Sequence, residues 1–156
     1  MTKIQLFVPP QGYVAQRWSE GTSMPPLGIL FLAACLEDAG FEVDVVPADV
    51  LGLQWSDVEQ RIRDFGPDIV GATTTTENRF DSFRLMGLAK RIDPRIVTVL
   101  GGPHISMAAE DTMRHILDLD TAVVGEGEVT LRELAQAVRT GSDLTQVRGL
   151  WLRNPE

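Results

Sequence analysis

One cysteine, Cys35, is the whole thiol complement of this 156-residue chain. No internal disulfide, no CxxC redox pair and no cysteine-held iron–sulfur cluster can form within it. Histidine is nearly as scarce: His104 and His115 are the only two, and their separation matches no familiar metal-ligand spacing. Basic residues are outnumbered, 14 Lys and Arg against 22 Asp and Glu, leaving a formal charge of −8. A chain of that sign has no general basic field with which to recruit nucleic acid through counterion release. The opening run, MTKIQLFVPP, is broken by Pro9 and Pro10 before it reaches the length of a secretory h-region. The expectation is a cytoplasmic protein that partners neither nucleic acid nor membrane. Standard catalytic signatures are missing too: GxGxxG after the first strand, GxxxxGK(S/T), HExxH and GxSxG. Chemistry must therefore come from a bound cofactor or from another domain.

What is present is an ordinary globular composition, 44% hydrophobic and 23% charged, of a length that suits one domain. Short β-rich runs alternate with amphipathic stretches of helical length. Strands are predicted at Ile4–Val8, Glu42–Val46, Asp68–Ala72, Ile96–Leu100 and Thr121–Val124. Helices are predicted at Leu27–Ala39, Trp55–Phe65, Arg79–Ile92, Ala108–Leu117 and Val129–Arg139, most of them stopped by Gly or Pro signals. The first of these helices is apolar almost all round, which reads as a buried helix. The alternation implies an α/β, Rossmann-like (flavodoxin-like) fold: a doubly wound, five-stranded parallel sheet in the order 2-1-3-4-5, in one domain. The last residues, Val147 to Glu156, read as a sixth short extended run, VRGLWLR, followed by Asn154-Pro155; it has no partner in view, so the natural chain is expected to continue. Residues 1–145 then form the domain, and residues 146–156 begin a linker.

Ligands of such sheets bind beyond the carboxyl ends of the strands, which directs attention to four loops. The first runs from Pro9 to Pro26 and carries Gly12, Tyr13, Arg17, Trp18 and Gly21, a length that suits either a binding loop or a mobile insertion. After the third strand, Thr73, Thr74, Thr75 and Thr76 offer consecutive hydroxyls; the same segment also reads as strand propensity ending in Asn78 as a helix N-cap. After the fourth, Gly101 and Gly102 permit close backbone approach, His104 sits in a turn, and the amides near Ser106 favour anionic groups. After the fifth, Gly125 and Gly127 flank Glu126, and Glu128 follows; two carboxylates disfavour phosphate there and suit hydroxyl or amide donors.

Taken in order, VPP, PPLGILFLAACLEDAGFEV, DIVGATTTT, VLGGPHIS and VVGEGE resemble the N-terminal cobalamin-binding domain of cobalamin-dependent radical SAM enzymes, the methyltransferase type especially. The resemblance covers essentially the whole chain. It implies that cobalamin is held with its dimethylbenzimidazole tail inside the domain and its corrin ring on the carboxyl edge of the sheet. Thr73 to Thr76 would line tail and corrin floor, and Pro26, Leu27 and Gly28 the ring edge. Gly101, Gly102 and His104 would pass beside the nucleotide loop, and Gly125, Glu126 and Gly127 would meet the tail's ribose end. The DxHxxG motif is absent, which implies base-off binding without a histidine lower ligand; Thr76, Asn78 or a residue of the first loop would face cobalt from below. The family's second domain, whose CxxxCxxC holds a [4Fe–4S] cluster beside S-adenosylmethionine, is not in this sequence. No catalytic residue is expected in this chain itself. A receiver-like module is disfavoured, because Val8-Pro9-Pro10 stands where a paired acidic cluster is needed and Ala72-Thr73 where an aspartate is needed. The alternative is a scaffold or interaction domain of the same fold that no longer binds cobalamin.

Overall fold

The computed structural model describes residues 1–11 and 25–153. Gly12, Tyr13, Arg17, Trp18 and Gly21 of the first loop, and the Asn154-Pro155 turn, lie outside the described residues. Elements alternate strictly at first: β1 (Lys3–Val8), α1 (Leu27–Asp38), β2 (Glu42–Pro47), α2 (Trp55–Phe65), β3 (Ile69–Thr73), α3 (Arg79–Ile92), β4 (Val97–Gly101), α4 (Pro103–His115), β5 (Thr121–Val123) and α5 (Gly127–Thr140). A short 3₁₀ turn (Leu144–Gln146) and β6 (Leu150–Leu152) follow. The sheet order is β2-β1-β3-β4-β5-β6, and the first five strands are parallel as expected.

The sixth strand corrects the sequence reading, which left it unpaired. Leu150, Trp151 and Leu152 pair antiparallel with Val123, Ala122 and Thr121. The cause is the route of the preceding segment. After α5 the chain climbs back to the carboxyl edge, where the Thr130 hydroxyl donates to the Arg148 carbonyl at 3.1 Å and the Val124 N–H donates to the Gly149 carbonyl at 3.0 Å. From there a strand can only descend, against the direction of β5.

Alternate residues of each strand feed two cores. Ile4, Leu6, Ile69 and Val99 pack under α1 and α5 through Ile29, Leu36, Leu131 and Leu134. Phe7, Val70, Leu100 and Ala122 pack under α2, α3 and α4 through Ile62, Leu85, Met86 and Ile105. Each fully buried side chain of this size contributes about 1.5–3 kcal/mol by leaving water. Local signals set the helix ends: Asp57 accepts the Gln54 backbone N–H at 2.8 Å at the start of α2, and Gly66, at φ +63°, closes it.

Two helices differ from their predicted form. The fourth begins at Pro103, five residues earlier than its apolar periodicity indicated, and bends at Ala108 (φ −136°, ψ 26°). Proline at the first helical position loses no hydrogen bond, so the helix can start directly after Gly102. The first helix is not buried all round. Ile29, Ala33 and Leu36 face the core, while Leu27, Leu30 and Phe31 are 58%, 41% and 63% exposed.

At the amino edge a polar cluster ties the start of β4 to the segment before β5. Lys90 pairs with Asp120 at 2.5 Å, the Thr98 N–H donates to the same carboxylate at 2.9 Å, and the Thr98 hydroxyl donates to the Asp118 carbonyl at 2.6 Å. The candidate loops collect at the carboxyl edge.

Candidate functional site at the carboxyl edge

A cavity of about 250 Å³ opens at the carboxyl edge, between the sheet and the helix pair α1 and α5. Its floor is Leu6, Gly71 and Val99, which lie side by side in the register of β1, β3 and β4. Ile29 and Leu32 of α1 and Leu131 of α5 face that floor. Thr73, Gly101, Gly102, Gly125, Glu126 and Gly127 form the mouth, and Gly28 lies on the α1 side. Seven of the fifteen residues singled out from the sequence as cofactor-binding therefore line one cavity.

The other eight are placed around it. Pro26 is the residue before α1, and Leu27 is largely exposed at its start. Thr74 is fully buried and turned into the protein: its N–H donates to the Gly101 carbonyl at 2.8 Å and its carbonyl accepts the His104 N–H at 3.0 Å. Thr75 and Thr76 are exposed. Asn78 is buried and does not cap α3 with its side chain. Instead its Oδ1 accepts the Thr75 N–H at 2.8 Å and its Nδ2 donates to the Thr73 carbonyl at 3.4 Å, which folds the hydroxyl run into a tight turn. Of the four threonines, only Thr73 reaches the cavity. His104 is half-buried at the rim, with Nδ1 3.5 Å from the Thr76 Oγ1 and its ring tilted against Phe83 at 6.3 Å. The Ser106 Oγ accepts the Gly125 N–H at 3.3 Å and so ties two of the loops together.

Gly102 does more for the protein than leave room for a ligand. Its φ is +96°, and a β-carbon there would stand 2.8 Å from both Thr73 Oγ1 and Thr74 N and 2.9 Å from Thr74 O. The loop after β3 and the loop after β4 are thus locked through a position that only glycine fills without strain. Gly127 is different. A β-carbon there would meet the Leu32 Cδ2 at 3.1 Å and the Val123 Cγ1 at 3.8 Å, both on cavity-lining side chains. At that position a side chain would press on the movable wall of the cavity rather than on backbone.

Sequence reasoning missed the apolar interior of the site. Leu6, Ile29, Leu32, Val99, Val123 and Leu131 read as core residues, because line by line they follow core periodicity. Gly71 was the available signal: an isolated glycine inside a central strand marks a close approach or a gap. Asp49, in the turn after β2 at the same edge, was also passed over. Burial pushes its carboxyl above the ordinary range, and its Oδ1 is buried without a partner among the described residues. Among the described residues no three His, Cys, Asp or Glu side chains converge to hold a metal ion, and no helix is long and apolar enough to cross a membrane.

Several known proteins are similar to this chain. An uncharacterized methyltransferase of Pyrococcus horikoshii is 37% identical over 148 residues, covering 95% of this chain and 32% of that protein. The anaerobic magnesium-protoporphyrin IX monomethyl ester cyclase of Rubrivivax gelatinosus is 33% identical over 137 residues, covering 85% of this chain and 24% of the relative. The chain thus spans about a third or less of the curated relatives it matches. Among solved structures, the radical S-adenosylmethionine methyltransferase TsrM of Kitasatospora setae, with cobalamin and a [4Fe–4S] cluster bound, superposes with a TM-score of 0.80 at 23% identity, over 99% of this chain and 28% of that one. That likeness establishes the fold. A family model described as the B12 binding domain matches residues 19–135, and the chain belongs to that family.

Proposed function

We propose that this chain is the cobalamin-holding domain of a methyltransferase-type radical SAM enzyme, and that it binds cobalamin base-off. The observation that carries the reading is the apolar cavity between the sheet and α1/α5, opening through a mouth of glycines at the carboxyl edge. Its chemistry fits the group: an apolar slot for an aromatic base, and turns without side chains where a bulky nucleotide loop must pass. Bound there, cobalamin supplies a cobalt centre able to carry a methyl group; the protein's part is to bind and orient it.

In this reading Thr73 offers a hydroxyl to the base at the cavity mouth. Gly101 and Gly102 let the backbone run beside the nucleotide loop, and Glu126 accepts from ribose hydroxyls. Pro26, Leu27 and Gly28 face the ring edge, with Thr76 and His104 beyond them on the rim. No histidine ligates cobalt from below. His115 ends α4 at the opposite edge of the sheet, where it is exposed beside Asp111. His104 keeps its ring on Phe83. Cobalt thus arrives with the corrinoid, and the chain itself carries no catalytic residue. The [4Fe–4S] cluster and S-adenosylmethionine belong to a radical SAM partner domain, reached through the segment after residue 145, and the whole works in the cytoplasm.

The test is direct. The purified chain is mixed with hydroxocobalamin, desalted, and its visible spectrum recorded. Protein that retains corrinoid with the shifted bands of the base-off form supports the proposal. A colourless protein fraction refutes it and favours the scaffold reading.

A further inference from the structure

The cavity has a polar mouth and an apolar floor, and this division bears on which corrinoid fits; the inference rests on the cobalamin reading above. Leu6, Val99, Ile29, Leu32 and Leu131 carry no side-chain hydrogen-bonding group, and Gly71 carries no side chain at all. The backbone groups of Leu6, Gly71 and Val99 lie within the paired strands β1, β3 and β4, which commits them to the ladder. The polar side chains that line the cavity, Thr73, Glu126 and Glu128, all stand at the strand ends or the start of α5. Thr121 lies in register with Val99 and has a buried, unpartnered hydroxyl, but it does not line the cavity. At about 250 Å³ the space is smaller than that of a typical whole-ligand pocket, roughly 300–1,000 Å³. It suits one planar end of a larger molecule, and beside Gly71 the floor is made by the Leu6 Cδ2 and the Val99 Cγ1, which would stand 2.9 and 3.1 Å from a β-carbon there.

We propose that this cavity selects among cobamides by their lower base, accepting benzimidazoles and rejecting adenine. The six-membered ring of a benzimidazole carries only C–H or methyl groups. That of adenine carries two ring nitrogens and an amino group, which this floor would bury without partners. Each such group weakens binding by roughly ten-fold, so two or more predict a loss of about 100-fold.

The experiment is an equilibrium titration of the purified chain, followed in the visible spectrum, with cobalamin, adeninylcobamide and cobinamide, which has no base. Cobalamin is expected to bind about 100-fold tighter than adeninylcobamide and clearly tighter than cobinamide. Equal affinity for cobalamin and adeninylcobamide overturns the selection while leaving the cobalamin reading intact. Binding base-off breaks the cobalt–base bond of the free corrinoid, so each affinity is corrected for that ligand's own base-on to base-off equilibrium; equal corrected affinity for cobalamin and cobinamide overturns it as well, because the base then gains nothing from the cavity. Failure of all three to bind overturns the cobalamin reading itself. A second variant tests the location. Leu32 is half-buried, so Leu32→Gln keeps the fold while placing an amide in the wall, and is expected to narrow the cobalamin-to-adeninylcobamide ratio at least ~5-fold. An unchanged ratio in a variant with an unchanged melting curve overturns the assignment of this cavity to the base.

Discussion

Growing a side chain at Gly127 is the sharpest probe of the cavity, because the direction of growth is fixed by the structure. The β-carbon points between Leu32 and Val123, and its nearest contact, 3.1 Å, is the free end of the Leu32 side chain, which can yield by a few tenths of an ångström. Replacing glycine in a helix gains up to about 1 kcal/mol, whereas tight packing costs about 1–3 kcal/mol. For Gly127→Ala these nearly cancel, and Tm should move by no more than ~2–4 °C. Binding responds differently. A bicyclic aromatic base hides ~150 Å² of apolar surface, worth about 4 kcal/mol at 25 cal/mol per Å², or roughly a thousand-fold in affinity. Gly127→Leu fills the slot and is expected to forfeit at least ~100-fold of that, with Gly127→Ala intermediate at about 3–10-fold. Spectroscopic titration with hydroxocobalamin, paired with thermal melts by circular dichroism, separates the two effects. A folded Gly127→Leu protein that binds within two-fold of the parent would falsify the placement of the base in this cavity.

Gly102 should behave in the opposite way. With φ +96° and backbone atoms of Thr74 at 2.8 and 2.9 Å from a β-carbon, Gly102→Ala is expected to cost ~3 kcal/mol or more and to lower Tm by roughly 6–12 °C, in the absence of any corrinoid. A melt within 2 °C of the parent refutes that account. His104→Ala should leave the visible spectrum of the bound cofactor unchanged, since the ring is occupied with Phe83 and Thr76; a clear band shift contradicts histidine-free binding. At the amino edge, the Arg95 guanidinium hydrogen-bonds the Asp93 carboxylate and holds its pKa at about 2. A carboxylate depressed in this way stabilises the fold above the ordinary carboxylate range and loses that contribution as pH falls toward 2. Arg95→Gln should move the Asp93 titration, read by NMR, upward, but not fully to the ordinary range, because the backbone N–H of residue 95 still donates to the carboxylate. Tm at pH 7 should hardly change, because the pair is exposed.

The parallel sheet was legible in the sequence because each of its strands is a run of β-branched and apolar residues closed by a glycine, proline or helix signal. β6 was legible as an extended run but not as a member of the sheet: it acquires its partner through the return path fixed by the Thr130 and Val124 hydrogen bonds. The mouth of the cavity was readable, since Gly101, Gly102, Gly125 and Gly127 violate strand and helix propensity and so announce a special backbone. Its interior was not, because Leu32 and Leu131 look the same in sequence whether they touch another side chain or face a void. Asn78 shows the same limit for polar groups. Its position before a helix suggested a cap, and only the turn formed by Thr75 and Thr73 reveals where its amide is spent.

The distribution of exposed apolar residues completes the functional argument. Leu27 and Phe31 on the first turns of α1, Phe80 at the start of α3, Met107 near the start of α4 and Val129 at the start of α5 all stand at the carboxyl edge, with exposures from 56% to 92%. Every helix start in this group lies on the side where the cavity opens, while at the opposite edge Met1 and Leu117 are the exposed large apolar residues. Scattered apolar residues need no explanation, but a set gathered around one opening marks a surface that is covered in use. A corrin ring lying on the mouth covers the residues nearest the cavity. Those on α3 and α4 stand on the far side of the sheet from α1 and α5, beyond the reach of a ring seated on the cavity mouth; under the proposed function, a partner domain would cover them.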